Sequence, residues 1–436
     1  MKTKKTVVKI NVITLGCSKN LVDSEVLLRQ LNYGRFIVSH DSDKLEHDIV
    51  IINTCGFIND AKQESIDTIL NVVAAKKKGL VKKVIVSGCL SARYFEQLKN
   101  EIPEVDAYFG VNDLKGLLGF IGADYRHELI GERKITTPSH YAYLKIAEGC
   151  DRNCSFCAIP LIRGKHISKT IEELVTEATF LRDQGVKELI LIAQDLTYYG
   201  IDIYKKRKLS FLLEHLSLIK GIEWIRLQYA YPAAFPDDVL ETIRDHKNIC
   251  NYLDIPFQHI NSRILKSMER GIDKNKTLKL IEKIRSTIPG IALRTSLIIG
   301  YPGETQTEFN ELLQFVSDVK FDRLGVFRYS HEESTAAHLL KNNISPKVKI
   351  QRSEKLMNIQ QNISQQKNNS LIGQELKVII DRREGEYFIG RTEFDSPEVD
   401  NEVIVNTPAV PDLVGQFRNI SITGAEAYDL IGEIEK

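Results

Sequence analysis

Gly149-Cys150-Asp151-Arg152-Asn153-Cys154-Ser155-Phe156-Cys157-Ala158-Ile159-Pro160 sets three cysteines in C-x3-C-x2-C spacing. Thiolates are soft ligands that suit iron–sulfur clusters or zinc. A cubane [4Fe–4S] cluster bound by three thiolates keeps one iron without a protein ligand. Catalytic metals need such an open position, and structural metals avoid it. The competing reading is a structural zinc knuckle. Zinc would want a fourth Cys or His, and the nearest candidate is His166. The spacing favours the cluster.

The rest of the chain is sized for more than this loop. Its 436 residues exceed one core and predict two or three domains. The basic start, Met1-Lys2-Thr3-Lys4-Lys5, leads into a short apolar run broken by Lys9 and Asn11. That reads as a first strand and not as a signal peptide. No stretch approaches the length of a membrane span, so a cytoplasmic protein is expected. The cysteine count of 7 is odd. Without a secretion signal, such cysteines read as metal-binding or catalytic thiols and not as a disulfide framework.

Upstream of the loop, residues 1–120 alternate short apolar runs with helical patterns, which predicts a doubly wound parallel α/β domain. Cys17 in Leu15-Gly16-Cys17-Ser18, Cys55 in Asn53-Thr54-Cys55-Gly56 and Cys89 in Ser87-Gly88-Cys89-Leu90 share one placement. Each follows a strand and precedes a helix, beside a glycine. In an open α/β sheet those positions gather at the carboxyl ends of the strands, where ligands bind. Three buried core cysteines are the bland alternative. Three alike favour a second three-thiolate cluster.

Residues 121–139 read as a linker, and residues 140–369 as a second α/β run ending in an amphipathic connecting helix begun by Pro346. Six βα-type units are too few for an eight-stranded barrel and suit a partial (β/α)6 barrel. Barrel sites form at the carboxyl ends of the strands. The candidates there are Glu148, Gln194, Asp195, Tyr229, Tyr231, Gln258, His259, Arg294, Ser296 and Gly300.

Residues 370–436 hold short strands between turn residues and predict a small β-barrel. This module carries six basic and fourteen acidic residues, near −8, whereas the rest of the chain is near +9. RNA binding wants a basic surface. An acidic module instead attracts a basic partner.

With both cysteine sets and this domain order in view, the chain resembles the radical S-adenosylmethionine methylthiotransferases. These have a cluster-binding N-terminal domain, a radical barrel and a C-terminal TRAM domain. Thr14–Asn20 with Asp23-Ser24-Glu25, and Asn53–Ile58, are similar to the branch that modifies a ribosomal protein. So are Asp254–His259, Arg294–Glu304, and Gly390-Arg391-Thr392 with Asp395–Asp400. The resemblance implies one [4Fe–4S] cluster on Cys150, Cys154 and Cys157, generating a radical from S-adenosylmethionine. It implies a second on Cys17, Cys55 and Cys89, presenting the sulfur. It also implies Phe156, Ile298 and Gly300 near the adenosine, with Gln194 and Arg294 in the pocket; Cys250 belongs to neither set. No side-chain acid or base is implied as the catalyst, because none can take a proton from an unactivated carbon. The implied product is a methylthio group on the β-carbon of an aspartate in protein twelve of the small ribosomal subunit. The acidic tail agrees with such a basic substrate, and a flavodoxin or ferredoxin would supply electrons. The alternatives are a transfer-RNA methylthiotransferase, a radical enzyme that only methylates, and a non-enzymatic metalloprotein that binds ribosomes.

Overall fold

Short apolar runs become buried parallel strands in the computed structural model, which describes residues 7–34, 36–44, 46–406 and 412–434. The N-terminal strands are β1 (Val8–Thr14), β2 (Phe36–His40), β3 (His47–Thr54), β4 (Val81–Gly88) and β5 (Ala107–Tyr108). They form one parallel sheet in the order β2-β1-β3-β4-β5. Ile49–Thr54 of β3 is buried throughout, as expected of a strand covered on both faces. Leu27, Leu28 and Leu31 of the helix Ser18–Asn32 pack on one face. Ile69, Val72 and Val73 of Asn59–Lys77 pack on the other. The strand order reverses between β1 and β3, a topological switch point where ligands bind in open sheets. Cys17 follows β1 and Cys55 follows β3.

The second sheet runs through β6 (Tyr141–Lys145), β9 (Glu188–Ile192), β10 (Trp224–Leu227), β11 (Ile249–Asp254), β12 (Ala292–Ile299) and β13 (Arg323–Arg328). A ribbon of β7 (Ala147–Glu148) and β8 (Ile167–Ser168) brackets the cysteine loop. The six strands lie in the order β13-β12-β11-β10-β9-β6, all parallel. β6 and β13 are opposite edges, so the barrel is open. Helices cover the convex face through Leu174, Leu212, Leu240, Ile284 and Leu312, each buried with the strand residues Leu189, Leu253 and Leu293. Fully burying each such side chain contributes about 1.5–3 kcal/mol. The first of these helices, Ile171–Asp183, begins at a capping box between Thr170 and Glu173.

The helix Pro346–Asn369, capped by Ser345, leads to the last module. There β14 (Glu375–Glu384), β15 (Tyr387–Thr392), β16 (Glu402–Asn406), β17 (Phe417–Ala425) and β18 (Asp429–Ile434) close into a barrel. β2 carries little periodicity in the sequence, because its half-buried residues lie at a sheet edge.

The concave face of the half-barrel is shared by the other two domains. Trp224, Cys250, Tyr252 and Ala292 meet Ile379 and Phe417 of the C-terminal module. Nearer the strand ends, Val22 packs on Tyr141, Tyr143, Ile190 and Ile192. The segment read as a linker is tied down, because buried Arg133 reaches Glu25 Oε2 at 2.8 Å and the Tyr143 carbonyl.

The tail acids look different once folded. Arg391 donates to Glu188 at 2.8 Å and to Asp381 at 2.6 Å. Arg226 donates to the other Glu188 oxygen at 2.7 Å. Arg294 and Arg323 reach Asp400 and Asp395 at 3.1 and 2.7 Å. Asp381, Asp395 and Asp400 therefore neutralise this chain's own arginines. The acids left exposed include Glu375, Glu384, Glu386, Glu398, Asp412, Glu426 and Glu433.

Candidate active site

At the carboxyl ends of β1, β3 and β4 the three N-terminal cysteine loops touch. Gly16 adopts a φ of 95°. A side chain there would put its Cβ 2.7 Å from Cys55 Cβ and 3.0 Å from its sulfur. Gly56 is packed as closely on the next loop, where an added Cβ would lie 2.7 Å from the Leu90 Cα. Only glycine permits these approaches. Asn20 stitches the loops together. Its amide donates to the carbonyls of Leu15 and Thr54 at 2.8 and 3.1 Å, and its oxygen lies 3.6 Å from Cys89 Sγ. Burial, with Cys17 nearby, raises the Cys55 thiol. Burial pushes the Cys89 thiol up to about 12 against the pull of Arg163.

The second set lies on the loop after β7. Arg270 donates to Cys154 Sγ at 3.1 Å, and the Arg152 N–H to Cys150 Sγ at 3.4 Å. Tyr231 stands between the two guanidinium groups, with its hydroxyl 3.7 Å from Cys154 Sγ. Desolvation pushes the Cys157 thiol up to about 12 and that of Cys150 up to about 11. The Arg270 cation and the Arg152 backbone N–H both favour the thiolate and cluster sulfurs. Among the described residues, no group of three or more His, Cys, Asp or Glu side chains is gathered to hold a single metal ion. His166, the zinc alternative, has Nε2 at 3.0 Å from Ser168 Oγ and its ring against Tyr198, with Nδ1 buried and unpartnered among the described residues. Each thiol set matches the soft donors of a cubane with one open iron.

The helix Ile159–Arg163 joins the two sets. Ala158 and Ile162 pack directly on Cys89. Arg163 donates to Asn20 at 2.5 Å, Glu148 at 2.8 Å and Asp23 at 3.3 Å. Lys145 reaches Glu148 at 2.7 Å and also bonds Asp23. Burial would raise the Glu148 carboxyl, but Lys145 and Arg163 hold it well below the usual range. Lys19 is buried beside Cys17, with its ammonium 3.2 Å from the centre of the Tyr229 ring. Arg163, Lys145 and Lys19 were absent from the sequence candidates. Their roles come from a seam between two domains, which no spacing within one segment reveals.

Beside the seam opens a cavity of about 740 Å³. Phe57, Asn59 and Asp60 of the N-terminal domain line one side, and Phe156, Tyr229, Gln258, Ser296 and Ile298 the other. Tyr229 and Gln258 hold left-handed φ values of 68° and 69°, strained for side chains of this size and typical of functional sites. Gln194 is directed to Glu148 at 2.7 Å. Asp195 accepts from Arg152 at 2.8 Å. Arg294 bridges Asp254 and Asp400, and neither it nor Gln194 is among the described residues lining the cavity, where the sequence reading expects both. Gly300 abuts Lys349, itself on the cavity wall.

His259 lies elsewhere, fully buried, accepting from the Asn261 N–H at 3.0 Å. Burial lowers its pKa from 6.5 to about 4. The unfolded chain therefore binds the proton first. The stabilisation is present above pH 6.5 and lost as pH falls towards 4, by roughly 3 kcal/mol. Urea midpoints for wild type and His259→Asn should converge across that window; parallel curves would contradict this.

Comparison with known proteins follows the same three-part layout. Residues 9–110 match the uncharacterized protein family UPF0004, residues 144–316 the radical SAM superfamily and residues 372–434 the TRAM domain. The chain is 56% identical over 428 residues to the ribosomal protein uS12 methylthiotransferase RimO of Cytophaga hutchinsonii, covering 98% of each. It is 58% identical over 425 residues to that of Flavobacterium psychrophilum, again covering 98% of each. The chain belongs to the ribosomal protein uS12 methylthiotransferase family. The identity extends through all three domains of this uS12 methylthiotransferase family member. Among solved structures, the radical S-adenosylmethionine methyltransferase TsrM from Kitasatospora setae superposes with a TM-score of 0.54. The match covers 74% of this chain and 73% of that one at 14% identity, and so reports the fold alone.

Proposed function

We propose that the chain inserts a methylthio group at the β-carbon of an aspartate in ribosomal protein uS12. Cys150, Cys154 and Cys157 hold one [4Fe–4S] cluster, and Cys17, Cys55 and Cys89 hold another. When bound, these clusters and S-adenosylmethionine supply radical generation and sulfur donation, chemistry beyond any side chain. The observation that carries the reading is the joining of the two thiol sets through Asn20, Arg163 and the helix Ile159–Arg163. One set alone would suit methylation. Two three-thiol sets joined at one seam suit sulfur insertion.

The protein's own part is to bind and orient. Phe156 and Ile298 offer apolar contact to an adenosine in the cavity, with Gly300, Gln194 and Arg294 supporting its walls. The Arg270 guanidinium offsets the charge of the Cys150–Cys157 loop, with the Arg152 backbone N–H donating to Cys150, and Arg163 offsets that of the Cys89 loop. The chain divides as residues 1–120, 121–139, 140–369 and 370–436, works in the cytoplasm and takes electrons from a flavodoxin or ferredoxin. The exposed acids of the TRAM module offer a face for a basic ribosomal protein. Transfer RNA is the less favoured substrate, because the module presents few free cations to phosphate.

A deletion strain provides the test. Mass analysis should find uS12 lacking its methylthio group and bulk transfer RNA unchanged. Intact uS12 with altered transfer RNA would overturn the proposal.

A further inference from the structure

Lys19 is a buried cation that, among the described residues, no carboxylate pairs, with the Cys17 sulfur as its strongest favourable charge. It is 9% exposed. Among the described residues, its ammonium makes no hydrogen bond and no ion pair; its close partner is the face of Tyr229 at 3.2 Å. The nearby carboxylates already hold other cations. Asp23 and Glu148 take Lys145 and Arg163, and Asp254 takes Arg294. Burying an unpaired charge is costly, and an aromatic face offsets only part of that cost.

Its position gives the charge a use. Lys19 stands two residues after Cys17 at the start of the helix Ser18–Asn32. Tyr229, which it covers, forms part of the cavity wall. The ammonium thus sits two residues from the cysteine set assigned to sulfur and against Tyr229, a wall residue of the cavity whose Phe156–Ile298 side is given to the adenosine. We infer that Lys19 is a carboxylate subsite that holds the side chain of the target aspartate. The inference rests on the proposed function and deepens it.

The chemistry fits this location. The carbon that takes sulfur is bonded directly to the aspartate carboxylate. Fixing the carboxylate on Lys19 therefore fixes the β-carbon within one bond, beside the Cys17 loop. An ammonium forms a charge-assisted bond to aspartate but only a neutral acceptor bond to asparagine. S-adenosylmethionine also carries a carboxylate, but its place in this reading is at Cys150, Cys154 and Cys157.

The test uses the full chain, reconstituted anaerobically with iron and sulfide. The substrates are uS12 and a variant with the target aspartate, located by mass analysis, changed to asparagine. Wild type should prefer the aspartate form roughly 100-fold in kcat/KM. Lys19→Met and Lys19→Gln should reduce that preference to a few-fold, and Lys19→Arg should keep most of it. Calorimetry should show the same loss of discrimination in binding, with bound iron and the S-adenosylmethionine Kd unchanged. A structural role would slow both substrates alike and leave their ratio intact. A retained preference in either neutral variant overturns the subsite. So does weakened S-adenosylmethionine binding with an unchanged ratio. A wild type that modifies neither form overturns the methylthiotransferase reading itself.

Discussion

Replacing Cys150, Cys154 and Cys157 together with alanine abolishes cleavage of S-adenosylmethionine and lowers bound iron from about eight to about four atoms per chain. The reason is separate housing. Cys17, Cys55 and Cys89 sit on strand ends of a different sheet, and their loops are packed on one another through Gly16, Gly56 and Asn20. Those contacts lie within the first domain, and the segment after Cys157 meets them through Ala158, Ile162 and Arg163. The converse variant, Cys17→Ala with Cys55→Ala and Cys89→Ala, should also retain about four irons but still form 5′-deoxyadenosine. It should leave the substrate without sulfur. Iron and sulfide assays with chromatography of the nucleoside products read both outcomes. If the Cys150 set is removed and no iron remains, the two sites are not independent.

Arg391→Ala should destabilise the protein by about 3–5 kcal/mol, among the largest effects of any single exchange outside the thiols. Arg391 is 1% exposed and joins Asp381 of its own module to Glu188 of the half-barrel. Removing it leaves two buried carboxylates, of which Glu188 keeps Arg226 and Asp381 keeps His140. Those remaining partners set the loss towards the lower end. Arg391→Lys should recover only part of it, because a point charge cannot serve carboxylates on two sides as a guanidinium fork does. Hydrogen exchange resolves the effect, with protection lost first in β14 and β15. Unchanged protection there would mean that the TRAM module is held by its apolar contacts alone.

The ion layer explains what was and was not legible beforehand. The cysteine spacing and the strand–Gly–Cys–helix repeats are local patterns, so the strand-end placement of the cysteines and the domain classes could be read directly. Charge was misleading because composition counts acids without their partners. Asp395 and Asp400 are met by Arg323 and Arg294, 72 and 106 residues away in sequence. The same limit hid Lys19, Lys145 and Arg163, whose roles exist only where the first domain meets the barrel. His259 illustrates the opposite error. A strand-end position suggested the site, but its ring faces the helix side, near Glu308 and Glu311.

The most direct measurement offers the reconstituted chain S-adenosylmethionine, a strong reductant and, in separate reactions, uS12 and transfer RNA, followed by intact mass. The account predicts that uS12 gains one methylthio group in place of one hydrogen, with 5′-deoxyadenosine formed, while transfer RNA stays unchanged. A uS12 product carrying a methyl group without sulfur, or modification of transfer RNA alone, would contradict it.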